Sequence, residues 1–149
     1  MRKHPFLIAA WLAVVACSPA APATPQGGPG GVTPLPTPFQ VGQLSLEAAL
    51  SERRSVREFA SRALTHVELG QLLWAAQGDS DSRNRLRTAP SAGALYPLAV
   101  YAASEQGLFH YLVAAHALER ISHEDLRAEL AAAARGQQEV AHSGCVLVI

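Results

Sequence analysis

The chain has 149 residues, which allows one small domain at most. Twelve basic and twelve acidic residues give a formal charge of zero, and this balance gives no support for nucleic-acid binding as a general property. Of the two cysteines, the first is expected to carry a lipid, which leaves no pair for an internal disulfide.

Residues 1–16 predict a bacterial export signal. A positively charged start precedes an apolar run over residues 6–15, which is too short to span a bilayer stably. Cys17 directly follows the small residue Ala16, as in a bacterial lipobox, so we expect Cys17 to be the lipidated first residue of an exported, membrane-anchored lipoprotein of the cell envelope. Ordinary secretory cleavage, with Cys17 incidental, is the alternative. Removal of residues 1–16 deletes two basic residues, which leaves ten against twelve acidic ones and a net charge of −2.

A Pro/Gly/Ala-rich linker is predicted over residues 17–44, between the anchor and a domain over residues 45–149. Residues 18–40 contain no charged residue and no periodicity. This composition is typical of a tether that is extended where Pro dominates and flexible where Gly does.

Two helices are predicted in the first half of the domain. Ser45 caps the first helix, which ends near residues 53–55. Thr65 and Glu68 form a capping box that opens the second helix, and Gly78 ends it. The apolar stripes of these helices contain Leu46, Ala49 and Leu50 in the first helix and Leu69, Leu72, Leu73 and Ala76 in the second.

A polar loop and a pair of strands are predicted next. The loop covers residues 79–88, and the strands cover residues 97–103 and 108–113. Gly107 and its polar neighbours predict a turn between the strands, so the pair is expected to form a hairpin.

The last part of the chain is predicted to be helical and then a buried strand. Ser122, followed by an acid three residues later, opens a helix that Gly136 interrupts before residues 137–142. The apolar run over residues 145–149 predicts a buried strand, in which Cys145 is a small buried hydrophobe. Because the chain ends inside this run, we expect an α+β domain that lacks a C-terminal portion.

The first candidate functional segment is basic and covers residues 53–57. It places three arginines and a serine within five residues, namely Arg53, Arg54, Ser55 and Arg57. Arginine binds phosphate through a planar fork of donors, and a hydroxyl adds another donor. The alternative is a solvated basic helix end, where cations also favour the C-terminal dipole.

The second candidate segment covers residues 87–97 and directly precedes a predicted strand. It combines small residues, a glycine and two prolines, Pro90 and Pro97. Small residues let main-chain N–H and C=O groups approach a flat ligand, and the prolines stiffen both ends. An ordinary loop between a helix and a strand is the alternative.

Four sequence blocks in this order resemble the nitroreductase family. The blocks are residues 53–59, 69–78, 87–97 and 107–111, and the similarity covers roughly residues 45–149. They are closest to the branch related to the dehydrogenases that oxidise thiazolines and oxazolines in peptide natural products. The resemblance implies a three-layer α+β sandwich, FMN as the cofactor and a homodimer with FMN held between the subunits.

The resemblance also implies which residues bind the flavin. In this family the basic segment contacts the FMN phosphate and ribityl chain, and the small-residue segment lies along the isoalloxazine ring. The residues so implied are Arg53, Arg54, Ser55 and Arg57 in the first segment and Pro90, Ser91, Ala92, Gly93 and Leu95 in the second. Family members often have Asn where Ala94 stands, and this departure weakens generic quinone or nitroaromatic reduction as the activity.

The implied chemistry is hydride transfer at flavin N5, where the cofactor carries out the redox step. No side chain need act as a general acid, and no histidine has metal-ligand spacing with cysteines or acids. The resemblance implies a small-molecule or peptide substrate, with a nicotinamide nucleotide as one candidate electron donor. Two other hypotheses stay open: a non-catalytic, membrane-tethered remnant of such an enzyme, and an anion-binding lipoprotein domain.

Overall fold

The structure, a computed structural model, describes residues 30–60 and 62–149. The predicted export signal and Cys17 lie outside these residues, as does the first part of the predicted linker. No helix in the described ranges combines the length and the apolar character needed to cross a membrane.

The regular elements are short, and most of the strands join one antiparallel sheet. The strands are β1 (Val32–Pro34), β2 (Asp79–Asp81), β3 (Leu86–Arg87), β4 (Tyr101–Ser104), β5 (Gly107–Leu112), β6 (Ala117–Ser122) and β7 (Val146–Val148). The helices are α1 (Leu46–Glu52), α2 (His66–Gln77), α3 (Arg127–Ala133) and α4 (Gln138–His142). The sheet has the order β1-β6-β5-β4-β7, and β2 pairs separately with β3.

The helix α2 and one face of the sheet form the core. Leu73 of α2 is fully buried, and Leu69 is nearly so. They belong to one cluster with strand side chains that share a face of the sheet, namely Ala102, Phe109, Tyr111 and Leu118. Burial of each large apolar side chain stabilises the fold by about 1.5–3 kcal/mol, so apolar packing holds α2 to the sheet.

Both predicted ends of α2 are confirmed, and each has a local cause. At the start, the Glu68 backbone N–H donates to Thr65 Oγ1 over 3.2 Å, and the Thr65 N–H donates to Glu68 Oε2 over 2.8 Å. Arg62 donates two further bonds to the same carboxylate, of 2.6 and 2.8 Å. At the other end, a Cβ on Gly78 would collide with the ring of Trp74, so only glycine fits there.

The predicted hairpin is confirmed as β4 and β5. Gly107 has a φ of 124° at the turn, and a Cβ there would collide with the carbonyl of Ser122, so this position requires glycine. Strand β4 begins at Tyr101 rather than at residue 97, and residues 95–100 between the turn at 92–94 and this strand are irregular.

The chain joins the sheet before the predicted domain boundary at residue 45. Val32–Pro34 forms β1 and pairs with β6, and Leu35 is buried in the core. The side-chain amide of Gln71 also holds the backbone of Phe39 through bonds of 2.7 and 3.0 Å. Residues 32–35 therefore belong to the domain and not to the predicted linker. The proline in β1 is compatible with a strand, because β1 lies at the edge of the sheet.

Strand β6 lies in the sheet where the sequence predicts no regular element. Two charged residues interrupt its apolar pattern. Glu119 lies 3.5 Å from His110 Nδ1, and the Arg120 guanidinium lies 4.6 Å from the centroid of the Phe109 ring. Contacts with the neighbouring strand β5 thus stabilise β6 together with its buried residue Leu118.

Several boundaries in the second half of the domain follow from β6. The helix predicted from Ser122 begins at Arg127 as α3, because Ser122 is the last residue of β6. Gly136, with a φ of 74°, separates α3 from α4 as predicted. The predicted polar loop over residues 79–88 contains β2 and β3, and the predicted last strand is β7.

Replacement of Leu73 by Ala should lower the free energy of unfolding by about 2–5 kcal/mol, because it opens a cavity in the core. Leu72 on the same helix is 46% exposed, so Leu72→Ala is a matched control with an expected change of about 0.5 kcal/mol or less. Urea unfolding followed by far-ultraviolet circular dichroism measures both. Equal losses in the two variants would contradict the packing of α2 on the sheet.

Glu68 should make stability depend on pH, because hydrogen bonds from Arg62 lower the pKa of its carboxyl from 4.5 to about 2. A pKa lowered in the folded state stabilises the protein above the unfolded value of about 4.5, and this contribution is lost as the pH falls towards 2. Glu68→Gln should cost about 1 kcal/mol at neutral pH and progressively less between pH 4.5 and 2.5. Glu129→Gln, at an exposed position of α3, is the control. If the unfolding free energies of Glu68→Gln and of the unsubstituted protein differ by a constant amount over this pH range, the lowered pKa of Glu68 is refuted.

Candidate functional site

The basic segment begins where α1 ends. Ser45 caps α1 as predicted, and its Oγ accepts the Ala48 backbone N–H over 3.2 Å. Arg53 closes the helix, because its backbone N–H makes the final bond to Ala49 O over 3.1 Å. Residues 53–57 then continue as irregular, exposed chain, so every predicted phosphate ligand lies at the surface.

The arginine donors of this segment are only partly used within the chain. Arg54 Nη1 donates to the carbonyls of Ser51 and Arg53 over 2.8 Å each. Arg57 Nε lies 3.2 Å from Glu139 Oε1, yet the Arg57 side chain is 71% exposed. Among the described residues, this segment makes no other ion pair. Exposed guanidinium donors beside a serine hydroxyl fit an oxyanion such as a phosphate.

Apolar surface flanks the basic segment on both sides. Leu46 and Leu50, on the predicted apolar stripe of α1, are 69% and 62% exposed. Phe59, just beyond the segment, is 53% exposed. The stripe of α1 therefore faces away from the core, and the described part of the chain does not cover it.

The small-residue segment forms a tight turn. Ala92–Ala94 is a single 3-10 turn, and the Ala94 backbone N–H donates to Ser91 O over 3.0 Å. Ser91 Oγ accepts the Tyr96 backbone N–H over 2.9 Å. This bond uses Ser91 as an acceptor, so its hydroxyl hydrogen is left to donate to another group.

Three residues of this segment have positive φ values. The angles are 63° at Gly93, 52° at Ala94 and 44° at Tyr96. A positive φ is uncommon for residues other than glycine and persists where surrounding contacts enforce it, often at functional sites. The turn exposes small side chains, and Leu95 is 80% exposed. A fixed surface of this kind, low in side-chain bulk, fits one side of a flat ring.

Two side chains outside the predicted flavin ligands shape this turn. The Arg87 guanidinium carbon lies 4.6 Å from the centroid of the Tyr96 ring, and Arg87 Nη1 donates to Gln77 Oε1 over 3.3 Å. The Thr88 hydroxyl donates to Trp74 O over 2.9 Å. The turn is thus tied to the C-terminal end of α2. No helical or strand periodicity relates Arg87 to Tyr96, so the sequence pattern carries no signal of this contact.

The two predicted segments have different polar contacts with the rest of the chain. The basic segment contacts α4 through Glu139, whereas the small-residue segment is tied to the end of α2. No hydrogen bond or ion pair joins them across residues 30–60 and 62–149. The two segments are therefore held by different helices, α4 and α2.

Two clefts lie elsewhere in the fold. A cleft of about 60 Å³ near the start of α2 includes His66, Arg120 and Cys145. A second cleft of about 180 Å³ lies beside Trp74 and Tyr111. No predicted flavin-binding residue lines either cleft, so neither of them is the predicted site.

Cys145 should react slowly with thiol reagents. Burial raises the pKa of its thiol to about 11, and the nearby positive charge of Arg127 offsets this effect only in part. Because the thiolate is the reactive form, Cys145 in a Cys17→Ser variant should react with a disulfide reagent at pH 8 at least about a hundredfold more slowly than in the unfolded chain. Absorbance of the released thiol measures the rate, and equal rates before and after denaturation would contradict the burial of Cys145.

Comparisons with known proteins converge on one family. Residues 50–149 match the family model described as the nitroreductase family. A protein of Methanocaldococcus jannaschii, provisionally named a nitroreductase, is 41% identical over 115 residues, which are 73% of this chain and 58% of that protein. A crystal structure from Ralstonia eutropha, with the same provisional name, is 37% identical with a TM-score of 0.64 over 68% of this chain and 49% of the other. This likeness confirms the predicted α+β fold, and the chain spans about half the length of these relatives.

Proposed function

This chain belongs to the nitroreductase family, and on that premise we propose that it is an FMN-dependent oxidoreductase. The recognition of the family from four sequence blocks is confirmed. The closer resemblance to the thiazoline and oxazoline dehydrogenases stays a prediction, and so does every residue role given below.

The exposed arginines beyond α1 are the observation that carries the proposal. The C-terminal end of α1 is followed by three arginines within five residues, Arg53, Arg54 and Arg57. Glu139 is the acid that lies near Arg57. A doubly charged phosphate would find charge-assisted hydrogen-bond donors here, because the guanidinium groups are exposed and only partly used within the chain. Ser55 would add a hydroxyl donor to the same group.

The small-residue turn is proposed to lie against the flavin ring. Pro90, Ala92 and Gly93 bring little side-chain bulk to an exposed surface, so the ring could approach the backbone closely. The free hydroxyl hydrogen of Ser91 could donate to a ring acceptor, and Leu95 would cover an edge of the ring from water. When bound, FMN supplies hydride transfer at N5, and these residues position it.

A homodimer is proposed to bring the two surfaces into one site. No hydrogen bond or ion pair joins the basic segment and the turn within the described chain, and the apolar stripe of α1 lies beside the basic segment in solvent. A second copy that covers Leu46 and Leu50 would bury apolar surface and enclose a ligand at the same time.

The substrate, the electron donor and the location are proposed only by class. A small molecule or a peptide is the expected substrate, and a nicotinamide nucleotide is the first electron donor to test. The Ala94 position favours the peptide-modifying branch over generic nitroaromatic reduction. We further propose that Cys17 carries lipid and anchors the exported protein in the membrane of the cell envelope.

Arg57→Ala should weaken FMN binding by about tenfold to a hundredfold, as expected when a charge-assisted bond to phosphate is removed. Riboflavin lacks the phosphate, so its affinity should be unchanged. Isothermal titration of the purified chain with each flavin measures both affinities.

Glu139→Gln is the matched control for Arg57→Ala, because both substitutions break the same ion pair. It should leave FMN binding unchanged or slightly stronger, since it removes a competing negative charge. If the two variants instead lose FMN and riboflavin affinity equally, Arg57 only tethers α4 and the phosphate role is wrong.

A further inference from the structure

We propose that Arg87 is a positioning residue, which fixes the turn over residues 90–96 in its strained conformation without contacting the ligand. The guanidinium lies between Gln77 and the ring of Tyr96. That this turn meets a flavin ring rests on the proposed function, whereas the bracing of the turn by Arg87 does not.

The support on one side of Arg87 is rigid. Gln77 is the last residue of α2 and is 5% exposed, and its Oε1 accepts from Arg87 Nη1 over 3.3 Å. Thr88, the next residue along the chain, donates its N–H to Gly78 O and its hydroxyl to Trp74 O, each over 2.9 Å. Arg87 is therefore held against the end of a helix that is packed in the core.

The nearest acid in the strand register does not explain where Arg87 lies. Asp79 of β2 is paired in register with Arg87 of β3, yet no ion pair joins the two side chains in the described structure. The guanidinium instead lies over the Tyr96 ring, where a cation is attracted to the negative face of an aromatic system. Its position is thus set by Tyr96 and Gln77.

Tyr96 is also the residue that closes the turn. Its backbone N–H donates to Ser91 Oγ over 2.9 Å, and its φ of 44° is unfavourable for a residue with a bulky side chain. Such a conformation persists only where contacts of the surrounding structure enforce it. The contact of the Arg87 guanidinium with the Tyr96 ring holds Tyr96 in this conformation. The hydrogen bond from Tyr96 to Ser91 then fixes the rest of the turn.

Hydrogen exchange of the flavin-free chain tests the brace directly. The backbone N–H groups of Ala94 and Tyr96 are hydrogen-bonded within the turn, so their exchange reports its order. Arg87→Ala and Tyr96→Leu should each speed exchange across residues 91–96 by about tenfold. Because the two residues act through one contact, the double variant should be no faster than either single one.

Conservative and charge-matched variants separate positioning from general destabilisation. Tyr96→Phe keeps the ring face and should behave like the unsubstituted protein. Arg83→Ala removes the same charge from an exposed position of the same hairpin and should change nothing. Unaltered exchange in Arg87→Ala, or equal effects of Arg83→Ala, would overturn the proposal. If Arg87→Ala does not fold, Arg87→Lys decides the question, because an ammonium cannot bridge Gln77 and Tyr96 as the planar guanidinium does.

Flavin titration of the same variants shows whether the brace matters for binding. Arg87→Ala and Tyr96→Leu should weaken FMN and riboflavin by the same factor of about ten, since a displaced turn affects the ring and not the phosphate. Loss of FMN binding alone would show that Arg87 contacts phosphate, and would overturn the positioning role. If the unsubstituted chain binds no flavin at all, the proposed function fails, while the exchange rates still decide whether Arg87 braces the turn.

Discussion

The packing of α2 against one face of the sheet is the constraint on which the small-residue turn depends. Leu69 and Leu73 fix the helix on β4, β5 and β6, and the capping box with Arg62 fixes its start. The end of the helix then determines where Gln77 and Trp74 offer hydrogen-bond acceptors to β3. Through these contacts an apolar core interaction sets the position of the exposed turn.

Local signals in the sequence predict this helix and the central hairpin well. Capping by Thr65 and Glu68, the stop at Gly78 and the turn at Gly107 each depend on neighbouring residues, so they can be recognised without the fold. The strands β1 and β6 depend on partners distant in sequence. Proline within β1 and charged residues within β6 conceal them, because the interactions that stabilise them are formed only in the folded chain.

The candidate site is predictable in composition but not in conformation. An arginine-rich helix end predicts surface donors, and the structure places Arg53, Arg54 and Arg57 at the surface. The positive φ values in the small-residue turn, and the guanidinium that lies over Tyr96, have no counterpart in residue spacing. Nor can the sequence show that different helices hold the two segments, since this follows from their separate contacts with α4 and α2.

The most direct measurement is whether the purified chain retains flavin after incubation with FMN and gel filtration. If the exposed arginines and the small-residue turn belong to one site, a flavin absorption band should elute with the protein, at the position of a dimer. A folded protein, shown by its circular dichroism, that elutes without a flavin band under any reconstitution would contradict the site and the oxidoreductase function proposed from it.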